Sequence, residues 1–145
     1  GFVDASAIDN EELLIMECDY LSPAALSCAI RESNAPQVRA KVIVEAANSP
    51  VTHLADKLLA EQGVTVLPDI LVNAGGVIVS YFEWVQNLQQ MSWDLDSVRN
   101  RLVRKLDAAS HKVFALAEEQ ECSYRDASYR IATKRLKDAL FTSGF

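Results

Sequence analysis

Short apolar runs and helix-like spacings alternate over the first 90 residues of the chain. Strands are predicted over residues 18–21, 41–45 and 64–72, and the last two of these runs are rich in β-branched residues. Spacings of three and four residues between apolar positions predict helical segments over residues 10–16 and 24–30. This alternation is typical of an α/β fold built around a parallel sheet.

The sequence predicts where the helix between the second and third predicted strands begins and ends. Ser49-Pro50 supplies a capping side chain and a proline suited to the first helical position. Gly63 is the residue type that most often follows the end of a helix. We therefore expect this helix to begin at Pro50 and to end just before Gly63.

Beyond residue 90 the pattern becomes wholly helical. One long helix is predicted from apolar residues at three- and four-residue steps: Leu95, Val98, Leu102, Leu106, Ala109, Val113 and Leu116. A second helix is predicted from Tyr124 onward, with an apolar side formed by Ala127, Ile131, Leu136 and Leu140. The expected fold is the second half of a doubly wound parallel sheet over residues 1–90, followed by a helical tail over residues 91–145.

Residues 73–84 place polar groups where the third predicted strand meets a helix. Asn73 is expected at the carboxyl end of that strand, which is the edge of an open α/β sheet where ligands bind. Gly75-Gly76 predicts a turn without Cβ atoms, which leaves room for a bound ring or amide. One face of the following helix is predicted to carry Asn73, Val77, Ser80, Trp84 and Asn87. The opposite stripe, expected to pack on the sheet, is Ile78, Phe82, Val85 and Leu88.

Composition excludes several classes of partner. The formal net charge of −6 argues against nucleic acid or an anionic membrane surface, because binding to either depends on clustered Lys and Arg. No apolar run approaches the roughly 18 residues of a membrane span. The three cysteines, Cys18, Cys28 and Cys122, show no Cys-x-x-Cys spacing, so we expect reduced thiols and no metal site. These features together predict a cytoplasmic protein.

Four sequence blocks share their order with a known family. They are Cys-Asp-Tyr-Leu-Ser-Pro-Ala-Ala from residue 18, Val-Glu-Ala-Ala-Asn-Ser-Pro from residue 44, Pro-Asp-Ile-Leu-Val-Asn-Ala-Gly-Gly-Val from residue 68, and Ser-Tyr-Phe-Glu-Trp-Val-Gln-Asn from residue 80. In these blocks the chain resembles the glutamate, leucine, phenylalanine and valine dehydrogenase family. The last block is similar to glutamate dehydrogenases in particular. The resemblance implies that residues 1–145 form a truncated, Rossmann-like NAD(P)-binding domain.

The resemblance also implies roles for individual residues. Cofactor contacts fall on Ala24, Ala25, Asn48 and Asn73. Substrate contacts fall on Asn73, Val77 and Ser80, with the serine hydroxyl donating to the distal carboxylate of the substrate. No catalytic residue falls in this chain, because the family's catalytic lysine and aspartate belong to a separate N-terminal domain.

Each of these residues also has a purely structural interpretation. Asn48 is suited to a turn and Asn73 to a helix N-cap. Ala24 and Ala25 could belong to no more than a tight connection, and a serine within a helix commonly bonds its own backbone, as Ser80 could. Family members carry a more polar pair at Ser27-Cys28, which leaves the neighbouring contacts open. His53 and His111 are expected at the surface.

The activity implied by the resemblance is the NAD- or NADP-dependent oxidative deamination of glutamate to 2-oxoglutarate and ammonia. The chain begins at Gly1-Phe2 and lacks a Gly-x-Gly-x-x-Gly turn, so we expect a fragment that is inactive alone, from a parent that is a homo-oligomer, commonly a hexamer in the family. One alternative is a leucine or phenylalanine dehydrogenase, for which a hydroxyl at Ser80 would have no use. A second alternative is a non-catalytic nucleotide-binding or interaction module.

Overall fold

The computed structural model describes residues 3–143. The chain divides into two compact units, Gly1–Val66 and Leu67–Phe145. The contacts divide the chain after residue 66, whereas the sequence analysis divided it by element type after residue 90. The assignment of residues 1–145 to a truncated NAD(P)-binding domain stays a prediction.

The sheet has three short strands in the order β1 (Tyr20–Leu21), β2 (Val42–Val44) and β3 (Thr65–Leu67). β1 and β2 run parallel, with Tyr20 opposite Val42. Helices precede and follow the strands along the chain, so the predicted α/β class with a parallel sheet is confirmed. The strands are shorter than predicted, and the first begins two residues later than expected.

The first unit packs its helices around one apolar core. Helix α1 (Asn10–Leu14) begins with a reciprocal capping box in which Asp9 Oδ1 accepts from the Glu12 N–H at 2.8 Å. Helix α2 (His53–Glu61) ends two residues before Gly63, whose φ of +78° confirms its predicted role after the helix. The core of this unit comprises Leu14, Ile30, Ala35, Val38, Ala40, Ile43, Val51, Ala55 and Leu59.

Two predictions in the first unit are wrong for the same reason. Helix α2 begins at His53 with Thr52 as its N-cap, not at Pro50. Residues 24–30 form bends and turns where a helical segment was expected. The backbone N–H groups of Cys28 and Ile30 donate to the carbonyls of Ser49 and Pro50, both at 2.9 Å. These bonds join residues about 20 positions apart in sequence and hold the two segments beside each other, so neither segment forms the predicted helical turn.

The second unit begins with a short helix where the sequence pattern predicted a strand. β3 ends at Leu67, and Asp69–Val72 forms helix α3, in which Asp69 Oδ1 accepts from the Ile70 N–H at 2.7 Å. Pro68 cannot donate to a sheet ladder, which ends the strand at this point. Asn73 therefore lies between two helices and not at the end of a strand.

Three long helices complete the second unit: α4 (Ala74–Gln89), α5 (Leu95–Glu119) and α6 (Tyr124–Thr142). The predicted glycine turn is absent, because Gly75 and Gly76 are the second and third residues of α4. Both predicted tail helices are confirmed. Their buried contacts with α3 come from Leu71, Val113, Ala117 and Ala127. Four residues of the predicted apolar stripes are instead mainly exposed: Leu88, Leu95, Leu136 and Leu140.

Candidate functional site

The loops that follow β1 and β2 lie side by side in the first unit. The Ala47 N–H donates to the Pro23 carbonyl at 2.9 Å, and Ser22 Oγ donates to the Val44 carbonyl at 3.1 Å. Pro23 is buried, which fixes the start of the first loop. Since the two strands are parallel neighbours, both loops leave the sheet at its carboxyl edge.

These two loops hold the three predicted cofactor residues of the first unit. Ala24 and Ala25 are exposed in the loop after β1, and Asn48 is exposed in the loop after β2. Residues 21–29 also line a cavity of about 660 Å³ against α1, and its lining includes Ala24, Ala25, Leu14 and Leu26. The structure therefore places small side chains and one amide at the same edge of the sheet.

A side-chain bond fixes the segment that follows Asn48. Thr52 Oγ accepts from the Ala55 N–H at 3.2 Å and donates to Glu32 Oε1 at 2.8 Å. The pKa of Glu32 is lowered by a backbone hydrogen bond and then by the Thr52 hydroxyl. Thr52 is the N-cap of α2 and ends the Asn48 loop, so its bond to Glu32 fixes the position of that end of the loop.

The remaining predicted residues lie at the start of α4 in the second unit. Asn73 is the N-cap residue, as its structural interpretation predicted, but its side chain makes no capping bond. It is half-buried, whereas Val77 and Ser80 are exposed, Val77 by 76%. Val77 and Ser80 are three residues apart, so they share one side of the helix.

Ser80 lacks the bond to its own helix backbone that two other hydroxyl residues of this unit make. Ser128 Oγ donates to the Tyr124 carbonyl at 2.7 Å, and Thr142 Oγ1 donates to the Asp138 carbonyl at 2.8 Å. Within residues 3–143, no such backbone bond is made by Ser80 Oγ. Its hydroxyl is therefore available to a ligand.

The two glycines of α4 differ in their surroundings. A Cβ atom added at Gly75 would lie 3.9 Å from Leu102 Cδ1 of α5, which is an ordinary packing distance. A Cβ added at Gly76 would meet no described atom within 4 Å. Packing within the unit thus requires neither glycine, although glycine disfavours a helix by up to about 1 kcal/mol relative to alanine. The open space over Gly76 is consistent with the close approach of a ligand.

Three residues that the sequence analysis did not single out fix the end of α4. The Trp93 ring lies 5.6 Å from the Phe82 ring, and the Arg101 guanidinium lies 4.4 Å from the Trp93 ring centroid. Gln86 Oε1 accepts from the Trp93 N–H at 2.6 Å. The available sequence signal was a tryptophan within the short connection between two helices.

The histidines and potential metal ligands of the described part of the chain do not form a second candidate site. His53 and His111 are exposed, as predicted. Across residues 3–143, no cluster of His, Cys, Asp and Glu side chains has the grouping needed to hold a metal ion. None of the helices in that range is long and apolar enough to cross a bilayer.

Known proteins match this chain over almost its whole length. The model of the Glutamate/Leucine/Phenylalanine/Valine dehydrogenase family matches residues 2–144. A glutamate dehydrogenase from Thermotoga maritima is 50% identical over 129 residues, covering 89% of this chain and 31% of the relative. An NAD-specific glutamate dehydrogenase from Staphylococcus aureus is 45% identical over 132 residues, covering 91% of this chain and 32% of the relative.

A solved structure extends the match to the fold. The hetero-hexameric glutamate dehydrogenase from Thermus thermophilus, in its leucine-bound form, has a TM-score of 0.92 at 30% identity and covers 99% of this chain and 35% of its own. The chain thus spans about a third of the length of the relatives that it matches. The resemblance found in the four sequence blocks is confirmed. The chain belongs to the glutamate, leucine, phenylalanine and valine dehydrogenase family.

Proposed function

We propose that this chain forms one wall of the nicotinamide and substrate pocket of an NAD- or NADP-dependent glutamate dehydrogenase. The enzyme would deaminate L-glutamate oxidatively to 2-oxoglutarate and ammonia. The similarity to proteins named glutamate dehydrogenase, at 45% and 50% identity, supports this assignment over other amino-acid dehydrogenases. We assign no catalytic acid or base to this chain.

The observation on which the proposal depends most is the exposed face at the start of α4. Val77 offers apolar surface, and Ser80, one turn further along, offers a hydroxyl without a backbone partner in the described residues. This combination suits a substrate side chain with an apolar stem and a carboxylate at its end.

The loops of the first unit fit a nicotinamide cofactor. An exposed amide at Asn48 can bond ribose hydroxyls, and the small side chains of Ala24 and Ala25 leave room beside it. In the second unit, the absence of any described atom within 4 Å of a Cβ added at Gly76 leaves the start of α4 open to a ligand. When bound, the nicotinamide would accept the hydride, while these residues bind and orient the reactants.

We further propose a cytoplasmic, hexameric enzyme. The Thermus relative is described as a hetero-hexamer, which supports an oligomeric assembly. The exposed apolar residues Tyr81 and Trp84 on α4, 54% and 56% exposed, would be covered in a complete enzyme.

Substrate selectivity of the complete dehydrogenase tests the proposal. We expect kcat/KM for glutamate to exceed that for leucine, phenylalanine and norvaline with either cofactor. A preference for leucine or phenylalanine would replace glutamate by the alternative within the family. Cofactor binding without turnover of any amino acid would instead support a non-catalytic module.

A further inference from the structure

The rotation of α4 about its own axis depends on few contacts. Among the described side chains of this 16-residue helix, Phe82 is the one classed as buried, with 3% of its surface exposed. The buried face of a helix limits its rotation about its axis, and half-buried Ile78 and Val85 lie on the same face of α4 as Phe82. The contacts of Phe82 therefore contribute to which side chains of α4 face outward.

Trp93 contributes the aromatic contact to Phe82. The two ring centroids are 5.6 Å apart at an interplanar angle of 52°, within the range of favourable aromatic pairs. Arg101 of α5 lies over the Trp93 ring, with 4.4 Å from its guanidinium carbon to the ring centroid. Trp93 thus links α4 to α5 through one side chain of the connecting segment.

Gln86 holds the backbone of Trp93 to the same helix. Its Oε1 atom accepts from the Trp93 N–H at 2.6 Å, and its Nε2 atom donates to the Phe82 carbonyl at 3.2 Å. Both polar ends of this side chain are therefore engaged. Trp93 is therefore held relative to Phe82 in two ways, by the hydrogen bond from its backbone N–H to Gln86 and by the contact between the two rings.

Fixing Phe82 inward also fixes the direction of Ser80. With 3.6 residues per turn, side chains two positions apart on a helix diverge by about 200°. Ser80 is accordingly exposed while Phe82 is buried. A rotation of α4 that released Phe82 would turn Ser80 and Val77 away from their present direction.

We propose that Trp93 is a positioning residue for substrate selectivity. By holding Phe82, it sets the rotation of α4 and presents the Ser80 hydroxyl to a distal carboxylate. This inference depends on the proposed function, because it assumes that Ser80 contacts the substrate.

The test compares variants of the complete dehydrogenase that contains this chain. Trp93→Ala should raise KM for glutamate about tenfold and KM for norvaline by less, because norvaline loses only the Val77 contact, while kcat changes less than about twofold. Trp93→Phe retains a ring against Phe82 and should restore the KM for glutamate. If Trp93→Ala does not fold, Gln86→Met removes the acceptor of the Trp93 N–H and should raise the same KM by about threefold.

A matched control separates positioning from stability. Phe114 of α5 forms an aromatic pair with Tyr124 of α6, with centroids 4.9 Å apart. Phe114→Ala removes a ring pair from the same unit, so it should lower the active fraction, and hence apparent kcat, at constant KM. If the Trp93 and Gln86 variants show that same pattern, the proposal is overturned.

Ser80→Ala distinguishes failure of this inference from failure of the proposed function. If Ser80→Ala leaves KM for glutamate unchanged, the assumed substrate contact is wrong. If Ser80→Ala raises KM for glutamate while Trp93→Ala and Gln86→Met leave it unchanged, the substrate contact stands and the positioning role of Trp93 is wrong.

Discussion

Asp69 and Arg125 form an ion pair that joins the first helix of the second unit to its last. Arg125 Nη1 lies 3.6 Å from Asp69 Oδ1, and the two side chains are only 15% and 13% exposed. Asp69 Oδ1 also accepts from the Ile70 N–H at 2.7 Å. The same carboxylate therefore contacts the first turn of α3 and pairs with α6.

Asp69→Ala should destabilise the second unit by about 3 kcal/mol, because it removes a carboxylate that neutralises the largely buried Arg125 guanidinium. Chemical denaturation at neutral pH measures this change. The double variant Asp69→Ala with Arg125→Met should recover part of the loss, since it also removes the buried charge that Asp69 neutralised. Additive losses in the double variant would show that the pair contributes nothing as a pair.

Gly76→Ala should stabilise the chain but weaken cofactor binding. A methyl group at Gly76 meets no described atom within 4 Å, so the better helix propensity of alanine should add up to about 1 kcal/mol of stability. In the complete enzyme the same methyl group would enter the space proposed for the ligand and raise the Kd for NADH or NADPH.

Gly75→Ala is the matched control, because its methyl group would instead pack on Leu102. We expect comparable stabilisation from it with a smaller change in Kd. Equal affinities for wild type and Gly76→Ala would contradict the proposed approach of a ligand at this glycine.

The stability of α5 should depend on acid pH through its N-cap. Asp94 accepts from the Ser97 hydroxyl at 2.7 Å and from the Ser97 N–H at 2.8 Å, and these bonds lower its pKa from the ordinary value of 3.8. The charged Asp94 therefore contributes its full share to the stability of the folded chain above pH 3.8. This contribution is lost as the pH falls through the lower, folded-state pKa.

Asp94→Asn keeps an acceptor oxygen but removes the titratable charge. The melting temperature of the wild type should exceed that of the variant at pH 7. The two values should converge below the folded-state pKa of Asp94. A difference that stays constant down to acid denaturation would show that the Asp94 charge does not stabilise the cap.

Local signals predicted the two tail helices, because the ends of these helices depend on nearby residues. α5 and α6 begin where Asp94 and Ser123 cap their first turns, and these caps reach only three residues along the chain. The strand β2 was also predicted, since its Val-Ile-Val sequence is β-branched and Ile43 is fully buried.

Long-range contacts account for the predictions that were wrong. The start of α2 moved from Pro50 to His53 because the Pro50 carbonyl accepts from the Ile30 N–H, which no local pattern reveals. Residues 70–72 have strand-like composition but form helix α3, where Leu71 is buried with α5 and α6. Tertiary packing overrides a weak local preference in such short segments.

In the candidate site, too, local features were predicted and long-range contacts were not. Helical spacing alone predicted that Val77 and Ser80 share a face, and both are exposed on α4. The contacts of Trp93 with Phe82 and Arg101 join separate segments of the chain, so spacing could not predict them.

The central claim is that Ser80 bonds the distal carboxylate of glutamate, and its most direct test is Ser80→Ala in the complete enzyme. Loss of the hydroxyl should cost about 1 to 3 kcal/mol of transition-state binding, which lowers kcat/KM for glutamate by about 5- to 150-fold. Norvaline has no distal carboxylate and should be almost unaffected. Ser80→Thr keeps the hydroxyl and serves as the control.

The measurement is the ratio of kcat/KM for glutamate to kcat/KM for norvaline in wild type, Ser80→Ala and Ser80→Thr. We predict a ratio that falls at least about fivefold in Ser80→Ala and stays near the wild-type value in Ser80→Thr. A ratio that remains within about twofold of wild type in Ser80→Ala would contradict the claim that this residue recognises the substrate.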